Sequence, residues 1–143
     1  MSDFRTLSES MLASPQIDID DIAAAKALGV TAIINNRPDG EDPSAPQSAE
    51  VEAAAEAAGI AYIAIPVGHS GMSEVQVDAM AEALRSAEGK VLAYCRSGTR
   101  STLLWALAQA KAGANPDEIA TAAAAAGYDV SPIRPMLDML AAR

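Results

Sequence analysis

A single α/β domain, with a mainly parallel central sheet flanked by helices, is the fold that the sequence predicts for residues 1–143. Three observations point to it. Short β-branched runs alternate with longer Ala-rich segments, glycines fall where helices should stop, and Ser, Asp and Asn fall where helices should start. Strands separated by helices pair in parallel through crossover connections, which gives a layered sheet. A chain of 143 residues, half of them apolar, can bury one core but not two.

The elements follow in order. Phe4 to Leu7 and Met11 to Ser14 are expected to form a small leading hairpin or edge strand. Asp18 or Asp20 caps a helix that runs to about Leu28 and stops at Gly29. Val30 to Asn35 is a buried strand, and Arg37-Pro38-Asp39-Gly40 is a turn in which Pro fixes φ and Gly accepts a positive one. Ser44 and Pro46 open a second helix ending at Gly59, and Ile60 to Val67 is the next strand. Ser73 with Gln76 three residues on makes a capping box for a helix that ends before Gly89. Val91 to Tyr94 is a strand running straight into Cys95, and a helix from about Arg100 to Ala112 is closed by Gly113. Asn115, Pro116 and Glu118 start a helix that stops at Gly127, and Ser131-Pro132 starts the last one. On that helix Met136 and Met139, three apart, are expected to face the core, as Trp105 is on its own helix. Parallel strands place their carboxyl ends on one edge of the sheet, where ligands bind. The loops beginning at Asn36, Gly68 and Cys95 should therefore face one another.

Composition excludes several functions. A net charge of −9 argues against a nucleic-acid or membrane surface, which needs clustered Lys and Arg. One cysteine cannot form an internal disulfide, and a single histidine beside it makes a Cys/His metal site implausible, so neither metal nor cofactor is expected. The residues after Met1 lack the apolar region of a signal peptide, and no apolar run approaches a membrane span. A cytoplasmic protein is the expectation.

The chemistry concentrates in Cys95-Arg96-Ser97-Gly98-Thr99-Arg100-Ser101, between a buried strand and a helix. A helix N-terminus offers unpaired N–H groups and the positive end of a dipole. Gly98 lets successive amides turn inward, and Arg100 adds a planar charged fork able to grip an oxyanion in two places. Such surroundings favour the thiolate, so Cys95 is expected to be a nucleophile. Ser101 is placed to hydrogen-bond the sulfur and improve it as a leaving group.

The segment from Cys95 to Ser101 resembles the active-site loops of rhodaneses and of cysteine-based phosphatases. Together with Ile33 to Glu41 and Tyr62 to Val67, it is similar to the phosphatase-like domain of the beta-lactamase-hydrolase-like proteins, over roughly residues 4–112. The resemblance implies a sheet like that of dual-specificity phosphatases, with Cys95 as nucleophile and residues 96–100 as the anion loop. Two departures matter. Phosphatase loops place five residues between cysteine and arginine, whereas Arg96, Ser97, Gly98 and Thr99 make four, the rhodanese spacing. Related phosphatases also carry an aspartate acid in the loop after the Tyr62 strand; here that loop is Gly68-His69-Ser70-Gly71-Met72.

The supporting residues have two readings each. His69 is a general acid or substrate contact, or else a solvated loop histidine, and Arg37 is a substrate contact or an arginine paired with Asp39 or Glu41. Asp39, before Gly40, reads as turn chemistry, Arg96 as an outward charge at the mouth, and Tyr94 as core. The departures put sulfur transfer first: Cys95 takes a sulfane sulfur from thiosulfate or a persulfide, holds it as a cysteine persulfide, and passes it on. Phosphomonoester hydrolysis through a cysteinyl-phosphate is the alternative. A non-catalytic oxyanion-binding module, serving a partner enzyme of sulfur metabolism, is the third. In all three the ligand is a small anion.

Overall fold

The computed structural model describes residues 2–68 and 71–142. Its elements are β1 (Arg5–Ser8), β2 (Met11–Ser14), α1 (Ile19–Ala27), β3 (Val30–Asn35), α2 (Ser48–Ala57), β4 (Ala61–Ala64), α3 (Glu74–Ser86), β5 (Lys90–Tyr94), α4 (Thr99–Lys111), α5 (Pro116–Ala125) and α6 (Arg134–Ala141). The leading hairpin forms: β1 pairs antiparallel with β2. The other pairings are parallel, and the sheet order is β1-β2-β5-β3-β4.

The strands read as continuous apolar runs because helices cover both faces of the sheet. Alternation along each strand divides the core accordingly. Met11, Ala13, Ala32, Ile34, Val91 and Ala93 join one buried cluster with α3, α4, α5 and α6. Leu12, Ile33, Leu92 and Tyr94 point the other way, into a cluster with α1 and α2. Trp105 is buried in the first cluster, as its spacing predicts.

Local signals hold at the helix starts. The Asp18 N–H donates to the Asp21 carboxylate at 2.8 Å, the Ser73 N–H donates to Gln76 Oε1 at 2.6 Å, and Asn115 accepts from the Asp117 N–H at 2.8 Å. Three expectations change. The strand expected from Ile60 to Val67 is the four-residue β4, Ala61–Ala64. The second helix begins at Ser48, later than Ser44, because Gln47 is its cap and its side chain bonds Asp42 O and Ala45 O. On α6, Met136 and Met139 are exposed and Leu137 is fully buried. The inward stripe there is Ile133, Leu137, Leu140 and Ala141, a fuller helical repeat than the two methionines offer. Among the described residues no helix is long and apolar enough to cross a membrane.

Sheet order decides where chemistry can happen. β5 lies between β2 and β3, so its carboxyl end opens between two other strand ends. The Asn36 N–H donates to Tyr94 O at 2.9 Å and the Cys95 N–H to Ser14 O at 3.3 Å, which ties the three ends together.

Candidate active site

Strand β5 delivers Cys95 to that edge, and α4 begins four residues later. The turn between them depends on Gly98, whose φ of +95° lies in the left-handed region that other residues resist. This turn aims the Gly98 N–H at the sulfur, 3.1 Å from Cys95 Sγ. The Thr102 hydroxyl, buried one turn into α4, donates to Gly98 O at 2.8 Å and braces the turn from behind. Ser97 Oγ accepts the Thr99 N–H at 3.3 Å. The Gly98 and Thr99 amides are thus engaged, and among the described residues those of Arg96 and Ser97 meet no acceptor. Cys95 itself is buried, 1% exposed.

At the mouth of the loop is a cavity of about 370 Å³ lined by Arg37, Glu41, Gly68, Arg96 and Arg100. All three loops expected to meet there contribute. Arg100 donates from Nη1 to Val67 O at 2.8 Å and to Glu41 Oε2 at 2.9 Å, and from Nη2 to Glu41 Oε1 at 2.7 Å. Arg37 Nε donates to the same Oε1 at 2.7 Å, and its Nη1 donates to Gln16 Oε1 at 2.9 Å. The Gln16 N–H returns to the loop, donating to Arg96 O at 3.2 Å. A chain of hydrogen bonds therefore runs from Arg96 through Gln16, Arg37 and Glu41 to Arg100, holding both ends of the anion loop.

Charges follow this geometry. Hydrogen bonds from Arg100, and then from Arg37 against the opposing effect of burial, lower the Glu41 pKa from 4.5 to about 2. Glu41 is therefore an anion throughout the physiological range and has no proton to donate. The Arg100 pKa is raised, chiefly by Glu41 and, beyond the opposing effect of burial, by Cys95.

Several predicted site residues take positions that the sequence left open or misplaced. Ser101 is fully buried, but its Oγ makes no hydrogen bond to the sulfur or to any other described group. Arg37 occupies the paired alternative, with Glu41 rather than Asp39, and only 9% of its side chain is exposed. Asp39 instead accepts the Ser48 N–H at 2.9 Å, at the start of α2. Arg96, Ser97 and Thr99 are exposed at the rim. Tyr94 is core: it is buried, and desolvation raises its pKa. His69 lies outside the described residues.

Sequence reasoning missed Gln16 and Tyr128 as contributors, and named Glu41 only as a partner of Arg37 and not of Arg100. Glu41 and Gln16 carry no motif; the only signal was the i, i+4 spacing of Arg37 and Glu41. Tyr128 had none at all. It follows α5, donates from its hydroxyl to Ser97 O at 3.0 Å, and is itself covered by Arg5, 5.1 Å from the ring centre. A Cβ at position 98 would stand 2.0 Å from that hydroxyl. Left-handed backbone alone costs an L-residue about 1–2 kcal/mol. Gly98→Ala is thus expected to lower the midpoint of urea unfolding and to expel Tyr128 from the loop. An unchanged midpoint with unchanged Tyr128 fluorescence would contradict this packing.

Comparison with known proteins supplies the lineage. A family profile described as beta-lactamase hydrolase-like protein, phosphatase-like domain, matches residues 3–112. The chain belongs to this family. Beta-lactamase hydrolase-like proteins of Xylella fastidiosa are 36% identical over 125 residues, covering 87% of this chain and 29% of theirs. That of Agrobacterium fabrum is 37% identical over 107 residues, covering 75% of this chain and 25% of its own. The chain thus spans under a third of these curated relatives. A candidate phosphatase from Neisseria meningitidis has a crystal structure with TM-score 0.84 and 35% identity, covering 98% of this chain and 99% of that one. P. aeruginosa TpbA in complex with pTyr shares the fold at TM-score 0.60 and 18% identity.

By its family the chain is a phosphatase-like domain. The comparisons thus back the alternative functional reading better than the leading one of sulfur transfer. The profile ends at residue 112, so α5, α6 and Tyr128 lie beyond the matched span.

Proposed function

We propose that this domain hydrolyses phosphate monoesters through a cysteinyl-phosphate on Cys95. The observation that carries the reading is the placement of one sulfur at the N-terminus of α4, with the Gly98 N–H on it and Arg100 held beside the mouth. Family membership supports the same chemistry.

In this scheme Cys95 Sγ attacks phosphorus and the bond to the leaving oxygen breaks. Water then attacks the cysteinyl-phosphate, releasing inorganic phosphate and restoring the thiolate. Loop amides and Arg100 stabilise the phosphoryl oxygens through both steps. Protonation of the leaving oxygen is the weak point. Glu41 is ionised and Asp39 is bonded to the Ser48 amide. General acid catalysis is worth about 10²–10⁴ in rate. Aryl phosphates, whose phenolate leaves unaided, should therefore be hydrolysed far faster than alkyl phosphates. His69→Ala should slow alkyl phosphates alone if His69 supplies the proton.

Sulfur transfer remains the second reading, favoured by the four-residue spacing between Cys95 and Arg100. One preparation decides between them. Phosphate release from an aryl phosphate should depend on Cys95, and intact mass after thiosulfate treatment should show no added sulfur. A single added sulfur at Cys95, with no phosphate release, would replace hydrolysis by transfer. Tight oxyanion binding without either reaction would leave a binding module.

A further inference from the structure

We propose that Glu41 is the positioning residue of the anion site: it fixes the Arg100 guanidinium so that one edge faces protein and the adjacent edge is left for an oxyanion. A guanidinium has five N–H donors in one plane. Both Nη1 hydrogens of Arg100 are committed, one to Glu41 Oε2 and one to Val67 O, and one Nη2 hydrogen goes to Glu41 Oε1. The two with no partner among the described residues, on Nε and Nη2, lie side by side along one edge of the plane and form a fork. Two parallel donors are what a phosphoryl or other oxyanion accepts.

Glu41 can do this because it is itself held. Arg37 Nε donates to Oε1, and Arg37 is pinned by Gln16, whose backbone N–H donates to Arg96 O. Arg37 thus acts on the anion at second hand, by orienting the carboxylate that orients Arg100. A long arginine on its own samples many rotamers, and ordering it when the ligand arrives costs binding energy. Holding it beforehand removes that cost, which is how a prearranged site outperforms a flexible one.

The contrary arrangement is a plug, in which Glu41 occupies the place of the substrate anion and must leave before binding. The two give opposite results when the carboxylate is removed. The proposal rests on the anion loop and not on which reaction follows, so binding is measured apart from turnover. In a Cys95→Ser background, inorganic phosphate is titrated calorimetrically against proteins with Glu41 intact, Glu41→Gln and Glu41→Ala.

The positioning role predicts affinity at least tenfold weaker for Glu41→Ala, a smaller loss for Glu41→Gln, and unchanged circular dichroism. With Cys95 present, Glu41→Ala should lose turnover mainly in kcat, and added formate, a carboxylate small enough for the vacated space, should restore part of it. Tighter phosphate binding in Glu41→Ala, or inhibition by formate where rescue is expected, would overturn the proposal in favour of the plug. Unchanged affinity and turnover would overturn it as well. If phosphate binding weakens as stated but no variant hydrolyses any ester, the hydrolase reading fails while the role of Glu41 stands. The rescue arm then passes to binding, with formate tightening phosphate in Glu41→Ala.

Discussion

Arg100→Lys is expected to lower kcat/KM for an aryl phosphate by roughly 10²–10³, the range seen when one preorganised donor to a developing oxyanion is lost. Lysine retains the charge but has a single ammonium in place of a planar fork. It can satisfy Glu41 or Val67 O, but not both while also presenting two parallel donors to a ligand. The fold should survive, because Glu41 keeps its bond from Arg37 at 2.7 Å and α4 stays anchored by its buried face. Steady-state kinetics with a thermal melt on the same sample check this. Turnover equal to the parent would show that the guanidinium plane plays no part.

Cys95→Ser is expected to abolish turnover, by on the order of 10⁴ or more, while leaving anion binding nearly intact. A serine hydroxyl at this position keeps its proton at neutral pH and is a poor nucleophile there. Oxygen for sulfur is a small change at a position only 1% exposed, and the Gly98 N–H can donate to either atom. Titration with inorganic phosphate should therefore give an affinity within a few-fold of the parent's. The separation of the two effects is the point: lost turnover with retained binding makes Cys95 the nucleophile and the loop amides with Arg100 the cradle. Residual hydrolysis at the parent's rate would mean that another group attacks phosphorus.

The sequence by itself determined what local chain chemistry can encode. Glycines at helix ends, caps at Asp18, Ser73 and Asn115, and apolar runs in β3 and β5 were sufficient for the layered parallel sheet. Cys95 was legible because strand, cysteine, glycine and arginine are contiguous, so their geometry follows from one turn. The convergence of the loops after Asn35, Val67 and Tyr94 followed from parallel pairing alone. Tertiary structure decided everything that depends on which side chains meet across loops. Arg100 and Glu41 are 59 residues apart, and Tyr128 reaches Ser97 from 31 residues away. Nothing in either local segment specifies the other as partner. Ser101 and the methionines of α6 show the same limit at shorter range. Spacing tells which residues share a helix face, but the neighbouring elements choose which face turns inward, because burial follows the total apolar area that packing removes from water.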